Sequence, residues 1–255
     1  FAGWLQGTLF CKVDVLPIAD NVPSPQRTTV TKSFSAPTRQ PPSSSIDSAL
    51  DSSSSSDLPK KLLTPEDLKL PTPILVMGLM KAGTTSIHGY FKCGLHPQYH
   101  HKLSHYDCKP AYHRKNTDET IRMTCGKRMR RNLTKMKKPA FYEMDQFLVY
   151  SELDSQEYNL GMTLPQWEFL PGIHEHFPNA TWILNTRNPQ KWLSSIDRWK
   201  DLRERFVQLH YGPEFFRGKG TEDKDMLYFY ELQAQRVRDF VKDHPSHTLV
   251  EVAID

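Results

Sequence analysis

Cysteine is scarce in this chain of 255 residues, occurring only at Cys11, Cys93, Cys108 and Cys125. No two of them form a Cys-x-x-Cys pair, which argues against a zinc site. Long apolar runs are also missing. The opening "FAGWLQGTLF" is apolar but far too short to span a bilayer. Charge of one sign does not dominate either, since the net charge is only +4. Basic residues concentrate in "CGKRMRRNLTKMKK", Cys125 to Lys138. No aromatic-interleaved recognition motif accompanies them, so nucleic acid is not the expected partner. No internal repeat is visible, and no GxxxxGK followed by Ser or Thr, the phosphate loop of nucleoside-triphosphate enzymes, occurs.

What is present is ordinary globular composition, 38% hydrophobic and 24% charged, enough for one sizeable α/β core. The apolar residues are unevenly spread. From about Pro23 to Leu70 the chain is rich in Ser, Pro and Thr, as in "PPSSSIDSALDSSSSSD". Such a segment offers too little apolar surface to offset its ordering entropy. Residues 1–70 therefore read as a low-complexity stalk or linker, mostly disordered, and 71–255 as a folded domain expected to be incomplete at its C-terminus. The chain begins with Phe rather than Met, and the opening apolar stretch reads either as a stray apolar patch or as the tail of a membrane anchor lying upstream. Two glycosylation sequons, "NLT" at Asn132 and "NAT" at Asn179, point the same way. In an oxidising compartment Cys108 and Cys125 can close a loop.

Within the domain, "PILVMG" is a continuous apolar run ending in Gly, the pattern of a buried parallel strand. "TTSIHGYFKCG" then predicts a helix, with a Thr as its N-cap. Residues Thr117 to Leu133 carry a helical pattern with a basic face. "PAFYEMDQFLVY" is ambiguous between strand and helix, and "LPQWEFLPGIHEHFP" reads as a helix kinked near Pro171 and Gly172. "TWILNTR" predicts a strand, "PQKWLSSIDRWKDLRERF" a helix with Pro189 in its first turn, and "EDKDMLYFYELQAQRVRDFVKDH" a long amphipathic helix. "HTLVEVAI" reads as a closing buried strand. Strands alternating with helices predict an α/β three-layer sandwich around a central parallel sheet. Ligands of such sheets bind beyond the strand carboxyl ends, where Gly78 and Arg187 both fall.

The turn "GLMKAGTTS" carries the chemistry. A Gly-rich strand-to-helix turn aims backbone N–H groups and a helix N-terminus at one point, which suits a phosphate or sulfate. Lys81 adds a full charge, and Thr84, Thr85 and Ser86 add hydroxyls. These residues resemble the loop of the sulfotransferases that use 3'-phosphoadenosine 5'-phosphosulfate (PAPS), commonly KxGTT. The family's second signature, an Arg ending a later strand with a Ser eight residues on, is matched by Arg187 and Ser195 in "LNTRNPQKWLSSI". The resemblance covers roughly Pro71 to Asp255. It implies that Lys81, Ala82, Gly83, Thr84, Thr85 and Ser86 bind the 5'-phosphosulfate, that Arg187 and Ser195 hold the 3'-phosphate, and that no metal is required. It further implies that Lys81 neutralises the bridging oxygen as the sulfuryl group leaves.

Family members take the acceptor's proton with a His or Glu between the two motifs. Glu143, in "AFYEMDQF", is the expected base, with Asp145, His105, His96, His100 and His101 as alternatives. "FRGKG", Phe216 to Gly220, reads as an exposed turn. The acceptor expected is a hydroxyl or amine of a carbohydrate, and the expected setting is the Golgi lumen, as a type II membrane protein; a cytosolic enzyme is the alternative. Two other readings compete: a nucleotide-dependent kinase, and a non-catalytic module that binds polyanions through Cys125 to Lys138.

Overall fold

The computed structural model describes residues 62–108, 124–144, 146–157, 161–199, 201–208 and 219–254. Its strands are β1 (Ile74–Val76), β2 (Leu103–His105), β3 (Val149–Ser151), β4 (Ser155–Glu157), β5 (Gly161–Thr163), β6 (Thr181–Thr186) and β7 (Thr248–Ala253). The helices are α1 (Thr84–Gly94), α2 (Cys125–Arg130), α3 (Pro165–Glu168), α4 (Leu170–His176), α5 (Pro189–Asp197), α6 (Leu202–Val207) and α7 (Asp223–Asp243). Five strands form one parallel sheet in the order β2-β3-β1-β6-β7, and β4 and β5 make a separate antiparallel pair. Helices cover the sheet, which is the expected α/β sandwich.

The central strand is the most apolar. Ile74, Leu75 and Val76 are all at most 1% exposed, and burying each such side chain is worth about 1.5–3 kcal/mol. Strand β1 lies between β3 and β6, with Ile74 paired to Val149 on one side and Thr181 on the other. The register aligns the carboxyl ends of β2, β3, β1 and β6 along one edge. On one face of the sheet Trp182 packs with Phe240 of α7, rings stacked at 5.3 Å. A second apolar cluster joins Trp192 of α5, Phe206 of α6 and Phe229 of α7 beneath the turn that follows β1.

Several elements differ from the sequence reading for visible reasons. The predicted helix over "LPQWEFLPGIHEHFP" is broken at Phe169 into α3 and α4, because Pro171 enters the first turn of a new helix. The predicted helix after Pro189 is likewise two pieces, α5 and α6. Strand β7 is not buried: it is the sheet edge, and its residues are half-buried or exposed. The N-cap of α1 is Gly83 in the left-handed region rather than a Thr. The basic helix begins at Cys125 and passes into a wide turn over Arg131–Met136; Thr117 to Met123 lie outside the described residues, as does most of "FRGKG".

Cys108 and Cys125 are joined in a disulfide. The two sequons are unequal. Asn132 is buried, and its side-chain amide donates to the carbonyls of Ala140 (3.1 Å) and Tyr142 (3.0 Å). Asn179 is exposed in the turn that leads into β6.

Three histidines meet near the amino ends of β6 and β7. His247 Nδ1 donates to the Ala180 carbonyl at 3.0 Å, so its Nε2 accepts from His174 Nδ1 at 2.9 Å. The rings of His174 and His244 lie 4.4 Å apart. Burial, and then the neighbouring His244, lowers the pKa of His174 below its ordinary 6.5, and burial chiefly lowers that of His247. His88 is pushed down to about 4, mainly by burial. As pH falls through 6.5 the unfolded chain therefore binds protons that the fold refuses, and stability drops until the folded values are reached. Urea unfolding should show stability declining between pH 7 and about 4. His174→Phe, which keeps a ring in place and removes one titration, should make that decline shallower.

Candidate functional site

The turn after β1 is shaped by side chains that take its backbone groups. Asn185, buried in β6, accepts from Gly78 N–H at 3.0 Å and donates to the Ala82 carbonyl at 3.0 Å. Trp192 Nε1 of α5 donates to the Met80 carbonyl at 2.9 Å, and Gln233 of α7 donates to the Met77 carbonyl at 2.8 Å. With these carbonyls held inward, the chain turns through Lys81 at φ 65° and Gly83 at φ 96°. Helix α1 then begins with no side-chain cap. The N–H groups of its first turn, over residues 84–86, have no partner within the helix and suit an anion. Thr84 is buried there, while Thr85 and Ser86 are exposed.

Arg187 enters from the next strand. Its backbone is clamped by Tyr230, whose hydroxyl accepts from Arg187 N–H at 2.6 Å and donates to the Arg187 carbonyl at 3.0 Å. Burial pushes the Tyr230 hydroxyl up to about 12, so it stays protonated and keeps the clamp. The guanidinium reaches toward the turn, with Nη1 3.5 Å from the Lys81 carbonyl. No carboxylate pairs with it among the described residues, and its Nε is buried without a hydrogen-bond partner. Asn188 caps α5 by accepting from the N–H groups of Gln190 and Lys191, with Pro189 at the first turn. Ser195 sits half-buried on that helix.

Lys81 is the meeting point. Its Nζ lies over the ring of Trp199 at 3.8 Å, a cation–π contact with an indole 47% exposed. Burial lowers the Lys81 pKa; Glu152 opposes this, while Arg187 and Arg198 add to it. Three cations thus converge with one carboxylate. Sequence reasoning passed over Asn185, Tyr230, Arg198, Trp199 and Glu152. The signal for Asn185 was only an amide two residues before Arg187, directly after the apolar run Trp182–Leu184.

Glu152 follows β3 directly at φ 57°, as Tyr106 follows β2 at φ 65°. Lys81, Glu152 and Tyr106 are non-glycine residues in a sparsely populated region. All three sit just beyond the carboxyl end of a strand, the edge where ligands bind. Beside Glu152 are His105, the last residue of β2, and His88 on α1.

The structure does not bring Glu143 to the turn. It is exposed in the turn over 140–144, ahead of β3. Phe141 in that turn packs on Phe177 at 4.8 Å, close to the start of β6. Glu143 therefore lies at the amino ends of the strands, opposite Lys81. The same holds for His96, His100 and His101, which occupy the short helical turn before β2. Asp145 lies outside the described residues. Of the alternatives, His105 alone reaches the carboxyl edge. In the basic stretch Arg130 pairs with Glu168 at 2.7 Å, and Lys135, Lys137 and Lys138 precede the Glu143 turn. The end of that stretch is thus on the far side from Lys81.

The Asn185 tie predicts a measurable cost. Asn185→Ala strands a buried N–H and a buried carbonyl, at about 1–3 kcal/mol each. Urea denaturation should show stability lower by about 2–6 kcal/mol. Gly78→Ala should be at least as damaging, because its Cβ would sit 2.2 Å from the Asn185 carbonyl oxygen, a backbone atom that no rotamer change can move.

No curated protein matches the chain. A family model described as the sulfotransferase domain matches residues 73–254, which spans β1, the turn, Arg187 and β7. The family is the one that the turn and Arg187 resemble, and the match covers the whole sheet: the chain belongs to the sulfotransferase family.

Proposed function

We propose that this sulfotransferase takes its sulfuryl group from PAPS and delivers it to a hydroxyl or amine of a carbohydrate. The observation that carries the donor is Arg187, a guanidinium with a buried, unpartnered Nε that faces the Lys81 turn. A half-buried guanidinium with no carboxylate beside it among the described residues is open to an anionic ligand. The planar fork suits a phosphate, and Ser195 on the following helix adds a hydroxyl. In this reading the two anions of the nucleotide divide between two elements. Arg187 and Ser195 hold the 3'-phosphate, while Lys81, Ala82, Gly83, Thr84, Thr85 and Ser86 receive the 5'-phosphosulfate. Lys81, already partly desolvated, moves from Trp199 to the bridging oxygen. A preorganised donor at such a developing charge contributes roughly 3–4 kcal/mol.

The carbohydrate acceptor and a luminal, Golgi setting rest on lesser supports. These are the Ser- and Pro-rich segment before the domain, the Cys108–Cys125 disulfide and the exposed Asn179 sequon. No helix among the described residues is long and apolar enough to cross a membrane. A membrane anchor, in this reading, lies upstream of the domain.

The donor assignment is tested by calorimetry with 3'-phosphoadenosine 5'-phosphate (PAP) in the presence of a chelator. Wild type should bind. Arg187→Ala should bind roughly 100-fold more weakly, the loss of charge-assisted bonds worth about 3 kcal/mol. A folded wild type that ignores PAP, or an Arg187→Ala variant that binds it equally well, would sink the reading.

A further inference from the structure

Sulfuryl transfer to a hydroxyl sets a proton free, and a group beside the acceptor must take it. Beyond β2 and β3 four side chains form a connected set. Ser151 Oγ donates to the Ser104 carbonyl at 2.8 Å. A carbonyl only accepts, so the hydroxyl's one proton is used there, and both imidazoles must donate to Ser151. His105 Nδ1 does so at 3.1 Å and His88 Nδ1 at 3.2 Å. Their rings stack with centroids 4.7 Å apart. The far nitrogen of His105, Nε2, then stands 3.0 Å from Glu152 Oε2. Two unprotonated acceptors would repel at that distance, so one proton rides on this pair. The other oxygen, Oε1, makes no hydrogen bond among the described residues. Burial raises the Glu152 pKa, against the opposing pull of His105 and Lys81. His105 on β2, Lys81 on the turn and His88 on α1 are the titratable groups that face it.

We propose that Glu152, not Glu143, is the catalytic base, with His105 as the residue that positions its carboxylate and Ser151 and His88 as the residues that fix the His105 ring. This rests on the sulfuryl-transfer reading above. The acceptor oxygen forms a bond to sulfur while the bond from sulfur to the bridging phosphate oxygen breaks. That electron pair leaves on the 5'-phosphate beside Lys81. The acceptor's proton passes to Glu152 Oε1, so that the Glu152–His105 pair holds one proton before transfer and two after. It returns one to solvent as product leaves. The carboxylate and Lys81 thus flank the reacting centre from neighbouring strands, one receiving the proton and the other the developing negative charge.

The test uses water as the acceptor, so the natural one need not be identified: PAP formed from PAPS is followed by chromatography. Glu152→Gln should slow PAP formation by about 10²–10⁴-fold, with PAP affinity by calorimetry within a factor of about three of wild type, far short of the tenfold that 1.4 kcal/mol represents. Glu152→Gly suits the φ of 57° at this position, and added formate should restore part of its lost rate. A structural role would give no such rescue. Ser151→Ala should shift the midpoint of the pH–rate profile while leaving PAP affinity unchanged. Equal rates for wild type and Glu152→Gln, at whatever level, overturn the proposal, as does a Glu152→Gly deficit that formate leaves untouched. Failure of folded wild type to bind PAP is a different result. It removes the sulfonucleotide reading itself and this assignment with it.

Discussion

One buried amide sets the geometry of the donor side. Asn185 accepts from Gly78 and donates to Ala82, so the turn after β1 is fastened at both ends to β6. Arg187 lies two residues further along the same strand. The turn and the arginine are therefore both tied to β6, one through the Asn185 side chain and the other through the strand itself. Trp192 and Gln233 extend the same arrangement from α5 and α7. Three of these four contacts satisfy carbonyls, and the fourth takes Gly78 N–H, which leaves the N–H groups over residues 84–86 for something else. A cradle for anions results from where the acceptors have been sent.

The two sides of the carboxyl edge differ in electrostatic character. Around the turn, Lys81, Arg187 and Arg198 gather positive charge, and no described carboxylate pairs with Arg187. Across from it, Glu152 is the negative group, held by the imidazole of His105 with His88 stacked behind it. Lys81 belongs to both, because Glu152 stabilises its charge while the two arginines disfavour it. A dianion arriving between them would offset the two arginines and stabilise the Lys81 charge.

Much of the donor side was legible in the sequence, for a physical reason. A turn that wraps an anion needs contiguous residues with special backbone freedom, so Gly83, Lys81 and the hydroxyl residues sit together in "KAGTTS". Arg187 was legible because Asn188 and Pro189 mark a helix start immediately after a strand. The opposite side was not. Glu152, His105, Ser151 and His88 come from β3, β2 and α1, and only the parallel register of β2 with β3 brings them together. No spacing in the chain announces such a set. Glu143 sits among acidic and aromatic residues that look functional in one dimension, yet its turn precedes β3, and direction along a parallel strand decides which edge a residue serves. Edge or centre was hidden for a similar reason: "HTLVEVAI" has the apolar alternation of a strand, and only the pairing shows that β7 has β6 alone beside it among the described residues.

The disulfide has an unequal relation to these two sides. Cys108 comes three residues after His105, and Ser104 Oγ touches both sulfurs, at 3.2 Å from Cys108 and 3.5 Å from Cys125. Cys125 N–H also donates to the Tyr106 carbonyl at 3.0 Å. The cross-link therefore braces the exit of β2, where the imidazole that faces Glu152 is mounted, and touches nothing in the Asn185 tie. If Glu152 acts as inferred above, reduction of this bond would loosen the mount of its imidazole partner. Oxidative maturation would then bear on turnover through the exit of β2, where His105 is mounted.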